Sequence, residues 1–108
     1  MKLKGRIALV TGAGRNIGRA TALAMAEEGA GVVVNGLSNQ ADVDEIVRII
    51  QQGGGQAIPI LADVSDPDQV NSMVEQVARE LGPVDVLVSN AGISQPHKIV
   101  DTPDEEWE

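Results

Sequence analysis

Between Arg6 and Glu28 two unlike apolar patterns meet at a glycine loop, Thr11-Gly12-Ala13-Gly14-Arg15-Asn16-Ile17-Gly18. Ahead of it, Arg6–Thr11 (RIALVT) is a short continuous apolar run, the pattern of a buried strand. Behind it, Asn16–Glu28 brings Ile17, Ala20, Thr21, Ala24 and Met25 round at three- and four-residue spacing, the pattern of a helix. A glycine loop between a strand and a helix constrains the fold and suggests a use. Glycine lets the backbone turn sharply and approach a ligand closely, and the helix start offers unpaired N–H groups with a partial positive charge. A pyrophosphate suits that position. A tight turn without a ligand is the competing reading of the loop taken alone.

The same alternation runs through the rest of the chain. Gly29-Ala30-Gly31 breaks the first helix, and Val32–Asn35 is the second strand. Asp42–Gln52 is a helix with Val43, Ile46, Val47 and Ile50 on one face, ended by Gly53-Gly54-Gly55. Gln56–Leu61 is a third strand, placed at a sheet edge because Pro59 lacks an N–H to donate. Asp66-Pro67 opens a third helix, the aspartate capping free amides and the proline needing no donor, with Val70, Met73, Val74 and Val77 as its apolar stripe. Gly82-Pro83 stops it, and Val84–Val88 is the fourth strand. Thr102-Pro103-Asp104-Glu105-Glu106 has the form of a helix start.

Strand, helix, strand at this cadence implies parallel pairing through right-handed crossovers. The expected fold is α/β: one domain over residues 1–108, a doubly wound parallel sheet cut off after its fourth strand. Composition agrees. The apolar residues are mostly Ala, Val, Ile and Leu, with Trp107 the sole aromatic, which suits strands covered by helices on both faces. There are no cysteines, which excludes disulfides and thiolate metal sites and suits the cytoplasm.

A net charge of −8 argues against nucleic-acid or anionic-membrane partners. The basic residues gather early, where Lys2, Lys4 and Arg6 read as solvated surface and Arg15 stands inside the glycine loop. The apolar stretch Ile7–Val10 is too short for a signal-peptide core, and no run approaches the roughly 20 residues of a membrane span.

Three segments together resemble the short-chain dehydrogenase/reductase family. The family's loop is Thr-Gly-x-x-x-Gly-x-Gly, matched at Thr11, Gly12 and Gly18; its middle glycine is replaced by Asn16, a residue that tolerates a left-handed backbone. Asp63-Val64 follows the third strand, where the family holds the adenine ring. A carboxylate can accept from the exocyclic amine while a backbone amide donates to a ring nitrogen. Ser89-Asn90-Ala91-Gly92 ends the fourth strand and is similar to the family's Asn-Asn-Ala-Gly, which lines the ribose. Without the resemblance, Asp63 reads equally as an acidic helix-capping loop, and Asn90-Ala91-Gly92 as a plain turn.

The resemblance implies a Rossmann-like fold and a dinucleotide held by Gly12, Arg15, Asn16, Ile17, Gly18, Ser38, Asp63, Val64, Asn90, Ala91 and Gly92. NAD-preferring members place an acid at the end of the second strand to hold the ribose hydroxyls, and here Gly36 stands there. Arg15 lies where a basic residue accompanies NADP in the family, while Leu37 replaces a common phosphate-binding arginine. NADP is the expected cofactor, with NAD as the alternative. His97 reads as surface and Trp107 as a packing residue.

The resemblance covers the family's first half only. Its catalytic serine and its Tyr-x-x-x-Lys lie later, and this chain has no tyrosine and only Lys2, Lys4 and Lys98 as lysines. The expectation is a fragment of an NAD(P)-dependent alcohol or carbonyl oxidoreductase without its catalytic residues; a non-catalytic dinucleotide-binding or interaction module is the alternative. A fourth strand left as a valine-rich edge would associate with itself or with a full-length relative.

Overall fold

The computed structural model describes residues 2–14 and 16–89. Its seven elements are β1 (Ile7–Thr11), α1 (Asn16–Glu27), β2 (Gly31–Gly36), α2 (Gln40–Gln52), β3 (Gln56–Leu61), α3 (Pro67–Glu80) and β4 (Val86–Ser89). All pairings are parallel and the strand order is β3-β2-β1-β4. β1 and β2 are buried along their whole length, as strands covered on both faces must be. β3 lies at the edge, where Pro59 is paired in register with Val34 on one side only.

Pleating divides the core in two. Ala8, Val10, Val32 and Val34 point to the face covered by α1 and α2; Ile7, Leu9, Val33 and Ile60 point to the face covered by α3. This is the doubly wound α/β arrangement, Rossmann-like. The α2 stripe is the expected one, with Val43, Ile46, Val47 and Ile50 all buried. Burial of each such side chain contributes roughly 1.5–3 kcal/mol, so this stripe holds the helix to the sheet. Its N-terminus is capped by Asn39, whose side chain accepts from the Asp42 amide at 3.1 Å. Asp66 and Pro67 start α3 as anticipated, with the Asp66 carboxylate accepting from the Asp68 amide at 3.0 Å. Lys2, Lys4 and Arg6 are exposed.

Three expectations need correction. The face of α1 turned to the sheet is Gly18 and Ala22, with Leu23, Met25 and Ala26 packed beside them; Ile17 is 62% exposed, and Ala20 and Ala24 face outward. Alanines at 20, 22, 24 and 26 make either phase plausible by pattern, and the close approach of Gly18 to the loop decides between them. In α3 only Met73 and Val77 are buried, and Val74 is exposed, because α3 contributes a single narrow seam to its face. β4 begins at Val86 rather than Val84. Asp85 intervenes: its amide donates to the Ile7 carbonyl at 2.8 Å and its carboxylate accepts from the Ile7 amide at 2.9 Å. No helix among the described residues is long and apolar enough to cross a membrane.

Candidate functional site

The strand order turns back at β1: β2 and β3 lie to one side of it and β4 to the other. In open α/β sheets, the crevice at the carboxyl ends of the strands around such a reversal is where ligands bind. Here that edge carries the β1–α1 loop, the β2–α2 loop and the β3–α3 loop.

The β1–α1 loop is built by close approach. Gly12 turns the chain at φ 60°, and Asn16 takes φ 55°, the left-handed conformation expected of it. Gly18 then lies so close to the loop that a Cβ on it would stand 2.2 Å from the Gly12 carbonyl oxygen and 2.9 Å from Ala13 Cα. Only hydrogen fits between the first turn of α1 and the end of β1. That contact aims the amino end of α1 across the crevice. The first turn of α1 carries no acid, whereas α2 and α3 carry Asp42 and Asp68 in theirs. Among these three helix starts, the α1 end is the one not already offset by a carboxylate, and an anion is favoured there.

Two compartments flank this loop. The first, of about 460 Å³, is lined by Gly12, Gly14, Asn16, Ile17 and Gly18 on one side and by Gly36, Leu37, Ser38, Asn39, Asp42 and Val43 on the other. The second, of about 400 Å³, is lined by Gly12, Asn35, Leu37, Ala62, Asp63, Val64 and Ser65. Gly12 and Leu37 border both, so the two form one trough with Leu37, 68% exposed, standing between them. The structure therefore gathers Gly12, Asn16, Ile17, Gly18 and Ser38 in the first compartment, and Gly12, Asp63 and Val64 in the second. Arg15, Asn90, Ala91 and Gly92, with His97 and Trp107, lie outside the described residues.

Asp63 serves the local turn and the trough together. Its Oδ1 accepts from the Ser65 hydroxyl at 2.6 Å and from the Ser65 amide at 2.9 Å, while its own amide donates to the Gln69 side chain at 2.8 Å. Oδ2 has no hydrogen bond among the described residues. The Ser65 hydroxyl, and after it the Ser65 amide, hold the carboxyl below its ordinary value. A depressed carboxyl pKa gives order that is present at neutral pH and lost as pH falls through the depressed value. Ser65→Ala removes the hydroxyl that lowers it most, and should therefore move the Asp63 titration up toward its ordinary carboxyl value and loosen this turn at a higher pH. Carboxyl NMR titration measures it directly; an Asp63 curve unchanged by Ser65→Ala would refute the assignment of cause.

Three residues escaped the sequence reading. Gly36, taken there only as the absence of an acid, is also enforced by packing, since a Cβ on it would sit 2.7 Å from Val43 Cγ1. Asp42, read only as the start of a helix, lines the first compartment, its Oδ2 3.8 Å from where a Gly14 Cβ would be. Asn35, read as the end of a strand, is 2% exposed and hydrogen-bonded to both neighbouring segments. A lone asparagine between Val34 and Gly36 was the only signal available for it.

Residues 6–108 match the family model described as short chain dehydrogenase. The chain is 38% identical over its full length to 44% of the 3-oxoacyl-(acyl-carrier-protein) reductase FabG of Thermotoga maritima. It is 43% identical over 106 residues, 97% of the chain, to 41% of a short-chain dehydrogenase/reductase of Armillaria gallica. Among solved structures, a short chain dehydrogenase from Mycobacterium avium superposes with a TM-score of 0.82 at 39% identity, over 86% of this chain and 35% of that one. A hydroxysteroid dehydrogenase from Escherichia coli gives 0.80 at 38% identity, over 84% and 38%. The chain thus spans less than half the length of the curated relatives it matches.

Proposed function

The chain belongs to the short-chain dehydrogenase family, and we propose that it forms the dinucleotide-binding portion of an NAD(P)-dependent oxidoreductase acting on an alcohol or carbonyl group. The observation that carries this reading is the two-compartment trough at the carboxyl edge of the sheet, built around the Gly18–Gly12 contact. A pyrophosphate fits at the amino end of α1, where backbone amides would meet it and the helix's own first turn carries no acid. An adenosine fits the second compartment, with Leu37 and Val64 as apolar walls and Asp63 Oδ2 as an acceptor for an exocyclic amine. Gly12, Asn16, Ile17, Gly18, Ser38, Asp63 and Val64 are the described residues that would hold the ligand; Arg15, Asn90, Ala91 and Gly92 complete the proposed set. The chemistry such a cofactor would supply is hydride exchange with a carbonyl carbon.

NADP is the cofactor favoured here. No carboxylate stands at Gly36 to repel a 2′-phosphate, and the sequence carries a cationic residue, Arg15, between Gly14 and Asn16. Asp42, in the same compartment, and Leu37, where a phosphate-binding arginine is common in the family, favour NAD instead. A cysteine-free sequence supports a cytoplasmic setting.

Calorimetry on the 108-residue chain with ADP-ribose and with 2′-phospho-ADP-ribose tests both levels. Binding of either supports the dinucleotide reading, and tighter binding of the phosphorylated form supports NADP. Binding of neither would refute the reading, and preference for ADP-ribose would reverse the cofactor. With no tyrosine to donate or accept a proton, this chain alone is expected to bind without turnover. Reduction of any carbonyl substrate above a heat-inactivated control, in protein free of host reductases, would refute that expectation.

A further inference from the structure

Asn35 is the buried polar residue that joins the two halves of the trough. Its Oδ1 accepts from the Gly12 amide at 3.4 Å, and its backbone carbonyl accepts from the Ala13 amide at 2.7 Å. Its Nδ2 donates in the opposite direction, to the carbonyls of Ile60 at 3.1 Å and Ala62 at 3.4 Å, and to that of Gly36 at 3.3 Å. One side chain thus spans from the second residue of the phosphate-side loop to the residue immediately before Asp63. An apolar side chain would fill the same space between strands, so packing alone does not call for an amide. Its acceptor and donors are divided between the two loops, and with 2% exposure no bulk water competes for them.

We propose that Asn35 is a positioning residue: by tying the Gly12–Ala13 loop to the Ala62–Asp63 segment through opposite ends of one amide, it sets the spacing between the phosphate and adenosine compartments. The proposal rests on the dinucleotide reading above for its ligand, and on the hydrogen bonds alone for its mechanics. Two sites held at fixed spacing bind a ligand that spans them more tightly than the separate halves would suggest, because the second contact is intramolecular. Release the spacing and the halves still bind; the joined ligand loses its advantage. Asn35 would then act on affinity for the whole dinucleotide without touching it.

The test has a ligand-free and a ligand-bound arm. In the unmodified chain, the Gly12, Ala13 and Ala62 amides should exchange as one opening unit in native-state hydrogen exchange, separately from the amides of α3. Independent opening of Gly12 and Ala62 would overturn the proposal whatever the chain binds. In Asn35→Leu, these three amides should exchange about tenfold faster while those of inner α2 stay near their original rates. ADP-ribose should bind about tenfold more weakly, with adenosine and inorganic pyrophosphate each bound as before. Asn35→Asp, which keeps an acceptor for Gly12 but turns an oxygen toward the Ile60 and Ala62 carbonyls, should show the same split. Equal weakening of ADP-ribose and both fragments, or no change in any, would reduce Asn35 to an ordinary core residue. If the unmodified chain binds no fragment and no ADP-ribose, the dinucleotide reading falls, and the exchange measurements alone decide whether Asn35 locks the loops.

Discussion

Gly18→Ala is expected to destabilise the fold by about 3 kcal/mol or more and to abolish binding of ADP-ribose. The added carbon would stand 2.2 Å from the Gly12 carbonyl oxygen and 2.9 Å from both Ala13 Cα and the Gly12 carbonyl carbon. All three are backbone atoms, and no rotamer change relieves them. Relief requires α1 to lift from the end of β1, which would break the Ala22 and Met25 contacts with the sheet and swing the amino end of the helix away from the trough. Overpacking a core side chain costs about 1–3 kcal/mol because neighbours can yield; here the neighbour is the loop itself.

Gly53→Ala is the matched control. Gly53 has φ −82°, and a Cβ there would meet nothing closer than 3.6 Å. Alanine should be neutral or stabilise by roughly 0.4–1 kcal/mol, through lost freedom in the unfolded chain. Urea unfolding with calorimetry on both variants separates the cases. Gly18→Ala with an unchanged midpoint and intact ADP-ribose binding would show that α1 does not depend on this contact.

The contrast between those glycines also explains which parts of the structure could be read from sequence. α2 was legible because its large aliphatics recur at one phase only, and β3 because Gly53-Gly54-Gly55 separates its apolar run from the helix before it. Its edge position followed from the missing proline donor. α1 was not legible in phase. Its alanines fit either face, and what selects the face is a backbone contact with a residue six positions earlier, which no hydrophobic period encodes.

The site divides in the same way. Gly12, Asn16 and Gly18 announce themselves because a left-handed or crowded backbone restricts residue type. Asn35 and Asp42 do not, since their roles depend on where β3 and α2 come to rest. Asn35 becomes meaningful only once Ile60 and Ala62 stand beside it, 25 and 27 residues along the chain.

The 108-residue chain should associate with itself increasingly as salt is raised, through the outer edge of β4. Among the described residues β4 pairs with β1 only, in the register Ala8 to Val86, Leu9 to Leu87 and Val10 to Val88. Its outward side presents backbone donors and acceptors to any other strand. The opposite edge is blunted by Pro59 in β3, whereas β4 has no proline. Val86 and Val88 flank one core cluster and Leu87 the other, all three only half-buried, so apolar surface lies on both sides of the edge.

Covering a few hundred Å² of such surface, at about 25 cal/mol per Å², favours association by several kcal/mol before the entropy of pairing is subtracted. The net charge of −8 opposes it at low salt. That opposition fades as the Debye length shrinks from about 30 Å at 0.01 M salt to about 3 Å at 1 M, while the apolar contribution remains. Sedimentation velocity across that salt range should show a growing dimer or higher species. Val86→Lys, which places a charge on the strand while its stem still covers the sheet, should suppress that species at every salt concentration; circular dichroism would confirm that the variant is folded. A monomer throughout the series for the unmodified chain would show that β4 is not an open edge in solution. Association equally strong in folded Val86→Lys would place the contact elsewhere on the surface.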